Sequence, residues 1–136
     1  MKREALVAEL LSTPWALMPE RTAAFAGVIA HWYAGTPRAM DDDYGSQKSA
    51  YEMRREQAAR LSAGGVAVVC CYGVIVQRAG MMTEWCGGTS TQQLVSWLRE
   101  LERDEACSQI LIDFDTPGGS VYGVAEAGAE IDEENA

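Results

Sequence analysis

Positive charge is scarce in the second half of the chain. Only Arg78, Arg99 and Arg103 stand against twelve acids in residues 65–136, whereas residues 1–64 hold eight of each sign. The whole net charge of −9 therefore lies beyond residue 64. An acidic surface repels a phosphate backbone, which argues against a nucleic-acid partner. Histidine is nearly missing as well: His31 is the only one, and lysine occurs only as Lys2 and Lys48. The four cysteines (Cys70, Cys71, Cys86, Cys107) form no Cys-x-x-Cys pair. With one histidine, that leaves no zinc-ligand spacing, so neither a metal nor another cofactor is expected. Buried thiols in a reducing compartment are the simpler reading. Long apolar runs are lacking too. The longest, Val66–Val76, has eleven residues, where a membrane-spanning helix needs about 20. The opening "MKREALVAELLSTPWALMPE" is broken by Glu9 and Pro14 and has no small-residue cleavage site, unlike a secretory signal. A soluble, cytoplasmic protein with no membrane partner is expected.

What is present suffices for one core, since 48% of the 136 residues are apolar. The first 64 residues read as a helical segment. Residues 3–12 place Leu6, Leu10, Val7 and Leu11 at helical spacing. Pro14 stops that helix or starts the next. Residues 19–35 open with Pro19-Glu20 and close on Gly35, the residue types that suit a first helical turn and a C-terminal cap. His31 lies in the apolar stretch "VIAHWY" and is read as a packed or surface residue. A loop with the solvated run Asp41-Asp42-Asp43 follows, and then a helix from Lys48 that ends at Gly64-Gly65. No chemistry is legible in this segment.

Residues 65–136 change character. "VAVVCCYGVIV" is apolar almost without alternation, as in a strand buried on both faces, and Gly73 inside it marks a bend. Cys70 and Cys71 should point to opposite faces. A loop with Met81, Met82 and Trp85 packs on the sheet edge or lines a groove. Ser90 and Gln93 form a capping box, and Leu94, Trp97, Leu98 and Leu101 give one apolar helical face. Ile110-Leu111-Ile112 is the next strand. Strand, helix and strand make a βαβ unit.

"FDTPGGS" (114–120) then raises the functional question. It predicts a turn from strand to helix, with Ser120 as N-cap and Val121, Val124, Gly128 and Ile131 on the following helix. Ligands of open α/β sheets bind at such strand ends. Gly118 and Gly119 leave room for close approach, and their amides beside a helix start can face negative charge. That suits an oxyanion hole for acyl transfer. A phosphate fits less well, because Asp113 and Asp115 repel it and no phosphate-loop motif is present. An ordinary Pro-Gly-Gly turn explains the residues equally well.

"GVAVVCCYGVIVQRAGMM", "GGTSTQQL" and "ILIDFDTPGGSVYGVAEAGAEI" together resemble the protease IV, or signal peptide peptidase A, family of serine peptidases. Within it, the similarity is to the bacteriophage head maturation proteases (the minor capsid protein C branch), which "STPWALMPE" also resembles. The resemblance spans about residues 65–131 well and 13–35 weakly. It implies an α/β, partial crotonase-like (Clp protease-like) fold over 65–136 behind the helical segment 1–64. It implies a serine endopeptidase that processes scaffold or capsid proteins and assembles into homo-oligomeric rings, in the host cytoplasm or procapsid. Gly118 and Gly119 would then be the oxyanion and substrate-contacting residues, with Pro117 and Ser120 supporting the turn. Thr116 stands where the family usually has serine. The family's serine nucleophile and lysine base lie further along than this motif and are expected beyond Ala136, so the chain reads as the N-terminal part of a peptidase, inactive alone. Two rival readings use the same residues: a non-catalytic capsid or scaffold assembly module, and a fragment of a crotonase-like acyl-thioester enzyme.

Overall fold

The run 66–76 makes the centre of the molecule. The computed structural model describes residues 3–35, 43–61, 64–80, 83 and 87–134. In chain order its elements are α1 (Arg3–Ser12), β1 (Trp15–Leu17), α2 (Pro19–Ala34), α3 (Asp43–Leu61), β2 (Val66–Tyr72), β3 (Ile75–Val76), β4 (Thr89–Ser90), α4 (Thr91–Glu102), β5 (Gln109–Asp115), β6 (Gly118–Ser120) and α5 (Val124–Glu134). The fold is mixed α/β. β2 and β5 pair in parallel from Val66–Gln109 to Tyr72–Asp115, with α4 between them in sequence.

Gly73 interrupts the apolar run as its composition suggests. At φ 71° it turns the chain out of β2 and into β3. Its N–H donates to Asp115 O at 2.9 Å. Thr89 braces the same bend: its Oγ1 accepts from Tyr72 N–H at 3.0 Å and donates to Tyr72 O at 2.9 Å. Beyond the bend a four-stranded sheet has the order β1-β6-β3-β4. β2 leads into β3 and β5 leads into β6, so the two sheets share their central chains.

Alternation along β2 separates two cores. Val68, Cys70 and Tyr72 meet Tyr51 and Ala58 of α3. Val69 and Cys71 meet Leu94 and Leu98 of α4, with Ile110, Ile112 and Ile131 around them. The adjacent cysteines thus take opposite faces. Ser90 caps α4 by accepting from Gln93 N–H at 3.1 Å. A third cluster joins α1 and α2 to β3 through Leu10, Phe25, Val74 and Val76. Trp15 packs there at 4.6 Å between ring centroids from Phe25, and its Nε1 donates to Leu10 O at 2.8 Å.

Three local readings change. Trp15–Leu17 is a strand, not a helix boundary, because its backbone pairs antiparallel with β6. It belongs to the stretch read as helical, and it carries that stretch into the sheet. α3 begins at Asp43, five residues before Lys48. α5 begins at Val124, not directly after Ser120. Residues 118–120 are held in the sheet, and the first helical bond runs from Ala127 N–H to Gly123 O at 3.1 Å. Ser120 is therefore not the N-cap. Lys2, Asp41, Asp42, Met81, Met82, Trp85 and Cys86 lie outside the described residues.

Candidate functional site

The Pro-Gly-Gly element lies inside a sheet, with a strand on each side. Ladder bonds fix its register: Met18 N–H donates to Pro117 O at 2.8 Å, and Val121 N–H donates to Pro14 O at 3.0 Å. Between them, Ala16 faces Gly119. Hydrogen-bonded pairs alternate along an antiparallel ladder, so Ala16–Gly119 is the next such pair and the Gly119 amide is directed at β1. On the other side Gly119 is in register with Ile75 of β3. The Gly118 amide takes a different partner. It donates to Thr116 Oγ1 at 3.1 Å, and the same hydroxyl lies 3.2 Å from Gly118 O.

Both glycines are required sterically. Gly118 has φ 106°, in the left-handed region, and a Cβ there would overlap the Ala16 carbonyl oxygen. A Cβ on Gly119 would overlap Ile75 O and sit 2.6 Å from Ile75 C and N. The sequence reading placed the pair between a strand end and a helix start. Their actual position is in β6, separated from α5 by the turn at residues 121–123, so no helix N-terminus adjoins their amides. Ser120 is 6% exposed, and its Oγ accepts from Tyr122 N–H at 3.1 Å. It supports the turn after β6. Pro117 supplies the carbonyl that anchors Met18.

Just upstream, the sheet brings together a charged cluster that the sequence did not announce. Asp113 and Asp115 alternate onto one face of β5, opposite Cys70 and Tyr72. Arg54 of α3 reaches both carboxylates, closely at Asp115 Oδ2 and at 3.4 Å from Asp113 Oδ2. Its guanidinium also lies 4.3 Å from the Tyr72 ring centroid. The Tyr72 hydroxyl donates to Asp113 Oδ2. Burial, and then this bond to a carboxylate, raises the Tyr72 pKa above the ordinary phenol value. Arg55 donates from Nη2 to Gly87 O at 3.0 Å. The two arginines thus clamp α3 over the upper end of β2 and β5, immediately before the turn. The visible signal was the Asp-x-Asp alternation; its cationic partner is about sixty residues away in sequence.

Capsid assembly protease C of Escherichia phage lambda is 30% identical to this chain over 83 residues. That stretch is 61% of this chain and 17% of the phage protein. The chain therefore matches about a sixth of that relative's length. No protein-family profile matches the chain, and no solved structure matches it significantly. The similarity supports a distant relation to a phage capsid assembly protease.

The chain's own serine and lysine candidates have other tasks. Ser120 is buried at the turn. Lys48 pairs with Glu52 one helical turn on, at 3.9 Å, and its stem packs beside Gly87. His31 is half-buried on α2 and has an interaction partner.

Proposed function

We propose that this chain forms part of a serine endopeptidase of the protease IV type that processes scaffold or capsid proteins during phage head maturation. The similarity to capsid assembly protease C carries this reading. Its structural support is the parallel β2–α4–β5 unit leading into Pro117-Gly118-Gly119, as a partial crotonase-like fold would have it. In this reading the chain contributes the oxyanion side of the site. Gly118 N–H is the better placed donor, because its present partner is a hydroxyl that one side-chain rotation removes. Gly119 N–H belongs to the ladder with β1, so Gly119 keeps the strands close and shapes the substrate-facing backbone. Nucleophilic catalysis needs an activated hydroxyl with a base in reach. The catalytic serine and lysine are assigned outside residues 1–136, and the full-length ring assembles around them.

A fluorophosphonate probe tests the assignment, since it labels only an activated serine. The 136-residue chain alone should stay unlabelled and should leave scaffold protein uncut. The product expressed from the native locus with its downstream sequence should be labelled. Labelling of the chain alone that vanishes in Ser120→Ala would place the nucleophile at Ser120 instead. An unlabelled native-locus product would end the peptidase reading.

A further inference from the structure

β6 has a strand on each side, and one of the two is the end strand of its sheet. Among the described residues the order is β1-β6-β3-β4. β3 continues from β2 through the bend at Gly73 and belongs to the centre of the molecule. β1 comes from the helical segment instead, and its backbone lies along the two glycines. A Cβ on Gly118 would overlap the Ala16 carbonyl oxygen and sit 3.1 Å from Ala16 C and 3.2 Å from Leu17 Cα. The Ala16–Leu17 peptide unit therefore fills the space beside Gly118. β6 offers β1 no side chain at Gly118 or Gly119, so the hold is largely backbone. It consists of Met18 N–H to Pro117 O, Val121 N–H to Pro14 O and the Ala16–Gly119 pair between them. Trp15 is anchored within its own segment, by its Nε1 to Leu10 O and its ring against Phe25. α1, β1 and α2 can thus leave β6 as a unit with Trp15 still packed. They give up those backbone bonds and the contact with Val74 and Val76.

A peptide substrate that reaches the Gly118 amide needs that same space. An oxyanion donor acts at about 2.7–3.1 Å from the reacting oxygen, and an extended peptide binds a sheet by adding a strand to it through backbone bonds. Of the two strands beside β6, β1 is the one that can give way. We propose, building on the peptidase reading above, that residues 13–18 are a built-in occupant of the substrate's strand position. β1 lifts off β6 to admit the extended backbone of a scaffold or capsid protein. It is an autoinhibitory strand, seated antiparallel on the element that the substrate uses. Its occupancy weakens the apparent affinity for a protein substrate by the fraction of molecules in which it is lifted. A small reagent without a peptide backbone is unaffected.

A reversible lock tests this. Pro14 and Val121 are opposed in the ladder, and both are exposed. Opposed residues of a hydrogen-bonded antiparallel pair have Cα atoms about 5.5 Å apart, which a disulfide spans. Pro14→Cys/Val121→Cys is made in the product expressed from the native locus, in a Cys86→Ser, Cys107→Ser background. Oxidation should lower scaffold cleavage by at least about 10-fold, and reduction should restore it, because the lock removes the competent fraction. Fluorophosphonate labelling should be equal in the two states. Equal scaffold cleavage in both states, with the lock shown by the loss of two thiols, overturns the proposal and makes β1 a fixed wall. So does labelling that falls together with cleavage, which marks general damage to the site. Absent labelling in both states is a different result, the failure of the peptidase reading. The 136-residue chain still decides then whether β1 lifts. The Gly119 and Val121 amides should exchange hydrogen at least about 10-fold faster than those of the β2–β5 ladder, through an opening smaller than global unfolding. Equal rates overturn the proposal.

Discussion

Adding one methyl group at Gly118 or Gly119 should damage this fold more than most core truncations. For Gly119→Ala, the new Cβ meets the Ile75 peptide, with C and N at 2.6 Å and the oxygen nearer still. Carbon contacts are comfortable at about 3.5–4.0 Å, so β6 and β3 must part by about 1 Å. Ladder bonds stretched that far are lost. Two such bonds contribute about 0.5–1.5 kcal/mol each, and overpacking adds about 1–3 kcal/mol. A total of about 2–6 kcal/mol is expected, against about 5–15 kcal/mol for a typical domain. Gly118→Ala meets the Ala16 carbonyl and also holds an alanine at φ 106°. The backbone strain alone costs about 1–3 kcal/mol. Gly128 is the internal control. It lies in α5 with no atom within 4 Å of an added Cβ, so Gly128→Ala should stabilise by about 0.5–1 kcal/mol. Urea unfolding followed by far-UV circular dichroism reads all three as midpoints at constant slope. A Gly118→Ala or Gly119→Ala chain within about 0.5 kcal/mol of wild type would refute the close approach of β1, β6 and β3. The same geometry means that lost activity in these variants would accompany lost stability, so they cannot isolate a donor role for either amide.

Thr116→Val does isolate it: the shape is kept and the acceptor of the Gly118 amide is removed. Stability should fall by about 0.5–1.5 kcal/mol and hydrogen exchange at Gly118 should accelerate; unchanged exchange would show that the hydroxyl does not hold this amide. Thiol titration should rank the cysteines. In a Cys86→Ser background, half-buried Cys107 reacts first, while Cys71, 1% exposed and with its pKa raised chiefly by burial, reacts only as the chain unfolds. Equal rates for Cys71 and Cys107 would contradict the packing of β2 on α4. At alkaline pH the folded state keeps the Tyr72 proton after the unfolded chain has lost it. The stabilisation is therefore whole below about pH 10 and is lost as pH rises through the elevated folded value. Thermal melts from pH 8 to 12 should show a decline that is shallower in Tyr72→Phe; identical slopes would remove Tyr72 as its source.

Elements fixed by neighbours in sequence were legible, and those fixed by distant partners were not. The Ser90 cap and the Leu94–Leu98 face of α4 are written within twelve residues, and both are found. The apolar run of β2 and the bend at Gly73 were equally local. β1 is different. Trp15-Ala16-Leu17 is too short for its alternation to register, and its extended state comes from β6, about a hundred residues later. The capture of Gly118–Ser120 by β1 and β3 likewise delays α5 to Val124, although helical spacing continues unbroken from Val121. For the candidate site, the motif was visible and its surroundings were not. Nothing near Arg54 in the chain indicates that it will meet Asp113 and Asp115.

The pairing of Trp15–Leu17 with Gly118–Ser120 also sets an order of events in folding. Closing a loop of about a hundred residues costs about 4 kcal/mol of chain entropy, and no local contact offsets it until both ends are in place. During synthesis β1 emerges about a hundred residues before β6, so this part of the sheet waits until that whole stretch has left the ribosome. In the interval Trp15 can shelter against Phe25, only ten positions away. The segment that carries the Pro-Gly-Gly element then takes its place in the sheet only after α1, β1, α2 and α3 have been made.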